Sequence, residues 1–405
     1  MAVDPFFPHP IYAVEDSDTP SVPRVLIAPH RYIQADGVLD HLGRYLSIVP
    51  STRPAVLISE GGQRRYAARL IVGMKLAGVH PVAETFGGEC STEEIERVVG
   101  ALRKADAPVD SVVAVGGGKC LDTAKGVAYR MALPVVICPT IASTDAPCSA
   151  VSVIYTEDGS FKGVEWFPVS PALVVVDTGI IAQAPARYLV AGMGDAVSTW
   201  YEARTCFANP KARSVVGARV TIAAQAIAEL SARTVFDHGV EALLAVEQGE
   251  VTEALERVVE ANTLLSGVGF ESGGLAAAHA VATVALTAIP KVHHHFLHGE
   301  MVAIGVLTQL ALEGDVNEAR RVGSFFSSIG LPVHLGQIGL DVQRDAEALE
   351  AAMASAMQFP IIHNEPFEVT AESLLAAALQ AHKLGIEVSG ACGDVAYKEL
   401  HTAPV

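Results

Sequence analysis

Five imidazoles fall within one otherwise small and apolar stretch, at His279, His293, His294, His295 and His298. A carboxylate stands upstream at Asp195, in GMGDAVSTWYEAR. A Lewis-acid centre needs several nitrogen or oxygen ligands and one open coordination position. His294 with His298, and His295 with His298, have helical spacings that bring two rings onto one face. His279 with His298 serves equally, provided the chain reverses between them, and Pro290 supplies a break. Periodicity leaves both choices open. The plainer roles are a polar turn for His293–His295, a core histidine for His279 and a helix cap for Asp195.

A second kind of chemistry is suggested by VVAVGGGKCLDTAK, Val112 to Lys125, which reads as strand, glycine turn and helix. Glycines let backbone approach a ligand, and the unpaired N–H groups and positive end of the following helix suit a pyrophosphate. The spacing matches neither GxGxxG nor the P-loop, so a plain tight turn stands beside that reading. Earlier, VLISEGG ends a strand pattern in Glu60. An acid there can accept bonds from a ribose diol and repels a 2′-phosphate, favouring NAD over NADP.

These groups need elements to hold them. Short β-branched runs at Arg24–Ala28, Ala55–Ser59, Pro81–Phe86, Ser111–Val115, Val135–Cys138, Ala150–Thr156 and Ala172–Asp177 predict strands. Amphipathic segments at Val38–Ile48, Gln63–Ala77, Thr92–Lys104 and Leu121–Met131 predict the intervening helices, with Ser91 and Glu94 forming a capping box. The alternation implies an α/β fold with a mostly parallel sheet covered on both faces. After about Pro185 the β signal fades into Ala/Leu/Val-rich helical patterns. The expected organisation is an irregular proline-rich arm over 1–23, a dinucleotide-binding α/β domain over 24–184, an all-helical domain over 185–385 and a loose tail over 386–405.

The chain has 405 residues, half of them hydrophobic and 18% charged, with a formal net charge of −17. That length suits two domains with large buried interiors. The negative charge and the absence of a Lys/Arg-rich run argue against a nucleic-acid partner. Leu275 to Ile289 is too short to cross a bilayer, which needs roughly 20 apolar residues, and it contains His279. The N-terminus has no secretory pattern, so a cytoplasmic location without membrane attachment is expected. Six cysteines without a CxxC pair point away from a thiolate metal site and from a disulfide framework.

The motifs GGGKCLDTAK, PTIASTDAPCSAVSVIYT, GMGDAVSTWYEAR and EANTLLSGVGFESGGLAAAHA, followed by HGE, together resemble the iron-containing alcohol dehydrogenase superfamily and, within it, the glycerol dehydrogenase family. The likeness runs from about Arg24 to Gly385 and implies an active site in the cleft between the α/β domain and the helical domain. It implies a metal held by Asp195, His279 and His298, zinc by family habit with ferrous iron compatible, and His293–His295 lining or neighbouring the site. It implies NAD against Gly117, Gly118, Lys119, Asp122, Thr140, Ser143, Ser149, Val151 and Tyr155, with Glu60 on the adenosine ribose. Asp145 would touch the substrate hydroxyls. The implied reaction is oxidation of a small polyol such as glycerol to dihydroxyacetone, by hydride transfer to NAD from the activated alkoxide, in a homo-oligomer. Other small 1,2-diols, 2-hydroxycarboxylates and alcohols are alternative substrates. A dehydroquinate-synthase-like lyase is a more distant alternative, and the scarcity of basic residues near these motifs disfavours its phosphorylated substrate. The chain departs from the family where AHAIHNG becomes AHAVATV: Ala282 and Thr283 replace a histidine and an asparagine, which implies a less polar substrate wall.

Overall fold

The computed structural model describes residues 22–49, 51–157 and 159–402. Among these, eight strands form: β1 (Tyr32–Ala35), β2 (Pro54–Ser59), β3 (Val82–Phe86), β4 (Ser111–Gly116), β5 (Val135–Pro139), β6 (Val151–Tyr155), β7 (Phe161–Trp166) and β8 (Leu173–Asp177). Six build one parallel sheet in the order β1-β8-β5-β4-β2-β3. The inner strands PAVLIS, SVVAVG, VVICP and LVVVD are almost continuously buried, as strands covered on both faces must be.

Their period-2 alternation divides the side chains between two cores. Val56, Ile58, Val113, Val115, Val136, Cys138 and Val175 pack with Leu39, Leu42, Leu70 and Met74 on one face. Ala55, Leu57, Val112, Ala114, Ile137, Val174 and Val176 pack on the other, in a core continuous with the helical half. From β2 the chain steps outward to β3, and from β4 it steps the opposite way to β5. The crevice at the carboxyl ends of β2 and β4 is therefore a topological switch point, where open parallel sheets bind ligands.

After Asp177 the described chain forms no further strand, and helices run to Thr402. The longest are Ala186–Ala208, Ile222–Gln248, His298–Leu312 and Ala371–Cys392. Two π-helical segments, Ala261–Leu265 and Ala280–Leu286, interrupt the packing between them.

Several expectations need correction. The strand expected at Arg24–Ala28 does not form. Arg24 makes one isolated bridge to Arg219, and the apolar Val25 and Ile27 pack instead on Phe270 and Leu275 in the helical half. The first strand lies at Tyr32–Ala35. The helix expected at Val38–Ile48 is a string of short turns, 3-10 at Val38–His41 and Leu46–Ile48 around one α turn at Leu42–Tyr45. The capping box at Ser91 is half formed: Ser91 accepts from the Glu94 amide, but the Glu94 carboxylate accepts from Gly87 N–H and Arg97. β7 was not expected; it pairs antiparallel with β6 as a hairpin apart from the sheet.

The loose tail expected over 386–405 is ordered through its described part. Helix Ala371–Cys392 continues into it, Gly393 at φ 85° ends that helix, and Val395–Thr402 forms another. Residues 1–21 of the expected arm lie outside the described residues.

Candidate metal and dinucleotide site

Helix Ala186–Ala208 carries Asp195 at its fully buried centre. His279 ends the turn Ala277–His279, and His298 is the first residue of helix His298–Leu312. The chain reverses between them through the segment Ala280–Leu286 and the short helix Pro290–His293. As a result, one ligand atom from each of Asp195, His279 and His298 lies within 4.8 Å of the others. Asp195 Oδ1 is 3.5 Å from His279 Nε2 and 3.6 Å from His298 Nε2. That oxygen is buried without a hydrogen-bond partner. An orphaned carboxylate oxygen facing two imidazole nitrogens fits a divalent cation, since buried polar atoms otherwise find donors.

The local packing explains the convergence. Helices Ala186–Ala208 and His298–Leu312 approach where Gly194 meets Gly299: a Cβ on Gly299 would fall 1.8 Å from the Ala191 carbonyl oxygen. Only glycine permits that crossing.

His279 is oriented from behind. Its Nδ1 lies 2.5 Å from Glu202 Oε2, while Glu202 Oε1 accepts from the amides of Ala276 and His279. A carboxylate on Nδ1 fixes the proton there and leaves the Nε2 lone pair toward Asp195. Burial alone would lower the pKa of His279, but Glu202 and Asp195 more than offset it and raise it. Binding a cation there therefore displaces a proton. His298 is pushed down by burial. Burial would raise Asp195, but His298 and His279 hold it below the usual carboxylate range. Asp145, buried beside Asp195, is pushed well up by desolvation and by that neighbouring charge. Its amide donates to Asp195 Oδ2 at 3.1 Å, and its Oδ2 accepts from Ser266 Oγ at 2.9 Å.

His279, His298 and Asp145 line a cavity of about 830 Å³ that reaches the glycine turn. There Gly117 precedes helix Gly118–Met131, and a Cβ on Gly117 would sit 2.9 Å from Ile141 Cδ1, a contact that only a shift of the Ile141 side chain would relieve. Gly117, Gly118, Lys119, Asp122, Ser143, Ser149, Val151 and Tyr155 all line this cavity, as do His293, His294 and His295. Thr140 and Glu60 do not. The Thr140 amide donates to Gly116 O, and Glu60 is exposed at the start of helix Glu60–Leu76, capped by Ser59. Glu60 still follows β2 directly at the switch point beside the glycine turn. Asp122 is bound chiefly within the protein: its Oδ2 accepts from Val153 N–H, and its Oδ1 is 3.1 Å from Lys125 Nζ.

Ala282 corrects the expected substrate wall. It is fully buried in the core, so of the two departures only Thr283 faces the cavity, joined by Thr287.

Sequence reasoning missed Glu202, Lys125 and the ion pair of Arg187 with Glu300. Glu202 follows Asp195 by seven residues, two helical turns, and that same-face spacing was available in the sequence. Lys125 is buried and donates to Ala146 O and Val151 O as well as to Asp122, tying the Asp145 loop and β6 to the glycine-turn helix.

The family model for iron-containing alcohol dehydrogenases matches residues 29–178. A glycerol dehydrogenase of Escherichia coli O6:H1 is 46% identical over 364 residues, 89% of this chain and 97% of its own. A glycolaldehyde reductase of Halobacterium salinarum is 40% identical over 90% of this chain and 98% of its own. The crystal structure of a probable glycerol dehydrogenase from Sinorhizobium meliloti superposes with a TM-score of 0.83 at 39% identity, covering 90% of this chain and 99% of that one.

Proposed function

Because the chain belongs to the iron-containing alcohol dehydrogenase family and, within it, to the glycerol dehydrogenases, we propose that this alcohol oxidoreductase oxidises a small polyol such as glycerol with NAD. The observation that carries the reading is the convergence of Asp195, His279 and His298 in the wall of the cavity whose far reach is the glycine turn. These three residues would hold a divalent cation. The donor set of one carboxylate and two imidazoles suits zinc and ferrous iron alike, and family habit favours zinc. When bound, such a cation lowers the pKa of a substrate hydroxyl.

The protein's own groups do the positioning. Glu202 holds His279 in the tautomer that coordinates. Ser266 donates to the Asp145 carboxyl group and Asp195 accepts from the Asp145 amide, setting that carboxyl beside the cation ligands, where it would bind a second hydroxyl of a diol. The amides of Gly118 and Lys119 open a helix whose dipole favours the dinucleotide phosphates. Glu60, exposed just after β2 at the switch point, would accept from the ribose diol and disfavour a 2′-phosphate. Enclosure in one cavity would bring a substrate carbon and the cofactor together, and NAD, when bound, would supply the redox chemistry. The reading keeps a cytoplasmic location and a homo-oligomeric state, both resting on the family. Among the described residues no helix is long and apolar enough to cross a membrane.

The test compares three variants. His279→Ala and His298→Ala should lose metal and activity together, because removing a ligand opens the coordination shell. His294→Ala, whose residue is exposed, should keep both. Metal analysis of the purified proteins, with absorbance of reduced NAD as the activity readout, decides the matter. Full metal content in His279→Ala overturns the assignment.

A further inference from the structure

The C-terminal helix Val395–Thr402 lies beyond the reach of the family resemblance, yet it ends against the metal-site wall. Its contact is Glu300, the third residue of the helix that His298 begins. Glu300 is 1% exposed and collects four donors: Arg187 Nε at 2.6 Å, Arg187 Nη2 at 2.8 Å, the Leu297 amide at 2.8 Å and His401 Nε2 at 3.0 Å. Arg187 stands two turns before Asp195 on the same helix and also donates to His295 O. Leu297 immediately precedes His298. The carboxylate thus joins the Asp195 helix to the backbone that delivers His298, and His401 completes its shell from 101 residues away.

His401 is itself held in place. Its Nδ1 is 2.8 Å from Tyr397 O, its ring stacks on Tyr397 at 3.9 Å, and the Tyr397 hydroxyl donates to Gln337 O. The Phe296 ring, in the loop between His293 and His298, lies 6.1 Å from the His401 ring. Arg187, Phe296, Leu297 and His298 all line the cavity, so loosening this junction is felt at the site.

We propose that helix Val395–Thr402 is a strap that positions the ligand His298, with His401 as its positioning residue acting through Glu300. The proposal rests on the reading of Asp195, His279 and His298 as a metal site. Without His401 one edge of a buried, charge-assisted network is left open to water, and the turn bearing His298 loses an anchor.

The experiment uses the full chain loaded with zinc. His401→Phe keeps a ring and removes the donor, His401→Gln keeps a donor, and Lys398→Ala changes an exposed residue of the same helix as a control. Three quantities are read: zinc loss to a chelator, KM against kcat for glycerol, and hydrogen exchange of the peptide spanning 293–300. His401→Phe should release zinc on the order of 10-fold faster, as groups supporting a metal ligand do when removed. KM should rise more than kcat falls, exchange at 293–300 should increase, and His401→Gln should restore much of each. A merely structural helix would lower thermal stability and leave metal release and exchange at 293–300 unchanged. Native values of both in His401→Phe overturn the strap. If Phe loosens the site and Gln fails to rescue it, the route through Glu300 is wrong. Should the native protein bind no zinc, the metal reading falls while the exchange comparison still decides the strap.

Discussion

Replacing Gly299 by alanine tests the claim that a bare helix crossing sets the metal geometry. The added Cβ would lie 1.8 Å from Ala191 O and 2.5 Å from the Ala191 carbonyl carbon, whereas real Cβ atoms essentially never come within 3.0 Å of another heavy atom. The two helices must therefore part by roughly an ångström. By the i→i−4 pattern, the Ala191 carbonyl is the acceptor for the Asp195 amide, so the displacement falls on the turn that carries the ligand. Metal–ligand bonds of about 2 Å tolerate deviations of about 0.2 Å, several times less than this shift.

Overpacking of this kind costs about 1–3 kcal/mol, a loss that a fold stable by about 5–15 kcal/mol survives. Gly299→Ala should thus remain folded by circular dichroism, melt somewhat lower, and bind zinc at least about tenfold more weakly, with activity falling in step. Gly323→Ala is the control. Its Cβ would meet nothing closer than 3.6 Å, and in helix Val316–Ile329 it should be neutral or stabilising by up to about 1 kcal/mol. Stoichiometric zinc in Gly299→Ala, with kcat/KM within about twofold of native, would refute the reasoning.

Glu60→Ser should raise the use of NADP relative to NAD, read as the ratio of kcat/KM values; an unchanged ratio would make Glu60 a solvated helix start. Lys125→Met leaves Asp122 buried without its cation and should cost about 3–5 kcal/mol in urea unfolding; a loss below about 1 kcal/mol would mean that the pair contributes little. Native enzyme should oxidise 1,2-propanediol at least as well as glycerol, because Thr283 offers less hydrogen bonding than an amide. A glycerol preference near a hundredfold that Thr283→Asn leaves unmoved would contradict that view of the wall.

The sheet was legible because strands buried on both faces must be apolar throughout, so runs such as SVVAVG and LVVVD mark themselves. The same rule misled at Arg24–Ala28. An apolar run shows that a segment seeks apolar cover, but not against what, and Val25 and Ile27 are partly buried against the cluster that holds Phe270 and Leu275, without a strand partner. β7 was hidden for the opposite reason: Lys162, Gly163 and Glu165 break its apolar pattern, and its pairing comes from β6 rather than from its own composition. The end of the chain, expected to be loose, carries Gly390 and Gly393, which weaken a helical pattern. Its order comes from docking of Val388, Tyr397 and His401, which propensity does not register.

For the site, the identity of the ligands and the reason they meet come from different levels of description. Spacing alone admitted His294 or His295 as readily as His279 beside His298, since all are sterically reasonable partners. What brings Asp195, His279 and His298 together is a contact with no period in the sequence: Gly194 against Gly299 lets two helices approach closely enough to set Asp195 within reach of both imidazoles. Glu202 could have been inferred, because a second acid two turns after Asp195 must share its face and so lie near whatever Asp195 faces. His401 could not, since its distance from Glu300 along the chain carries no hint of contact. A ligand set can thus be recognised from the side chains that touch the cation, while its geometry depends on glycines and distant carboxylate partners whose role emerges only from packing.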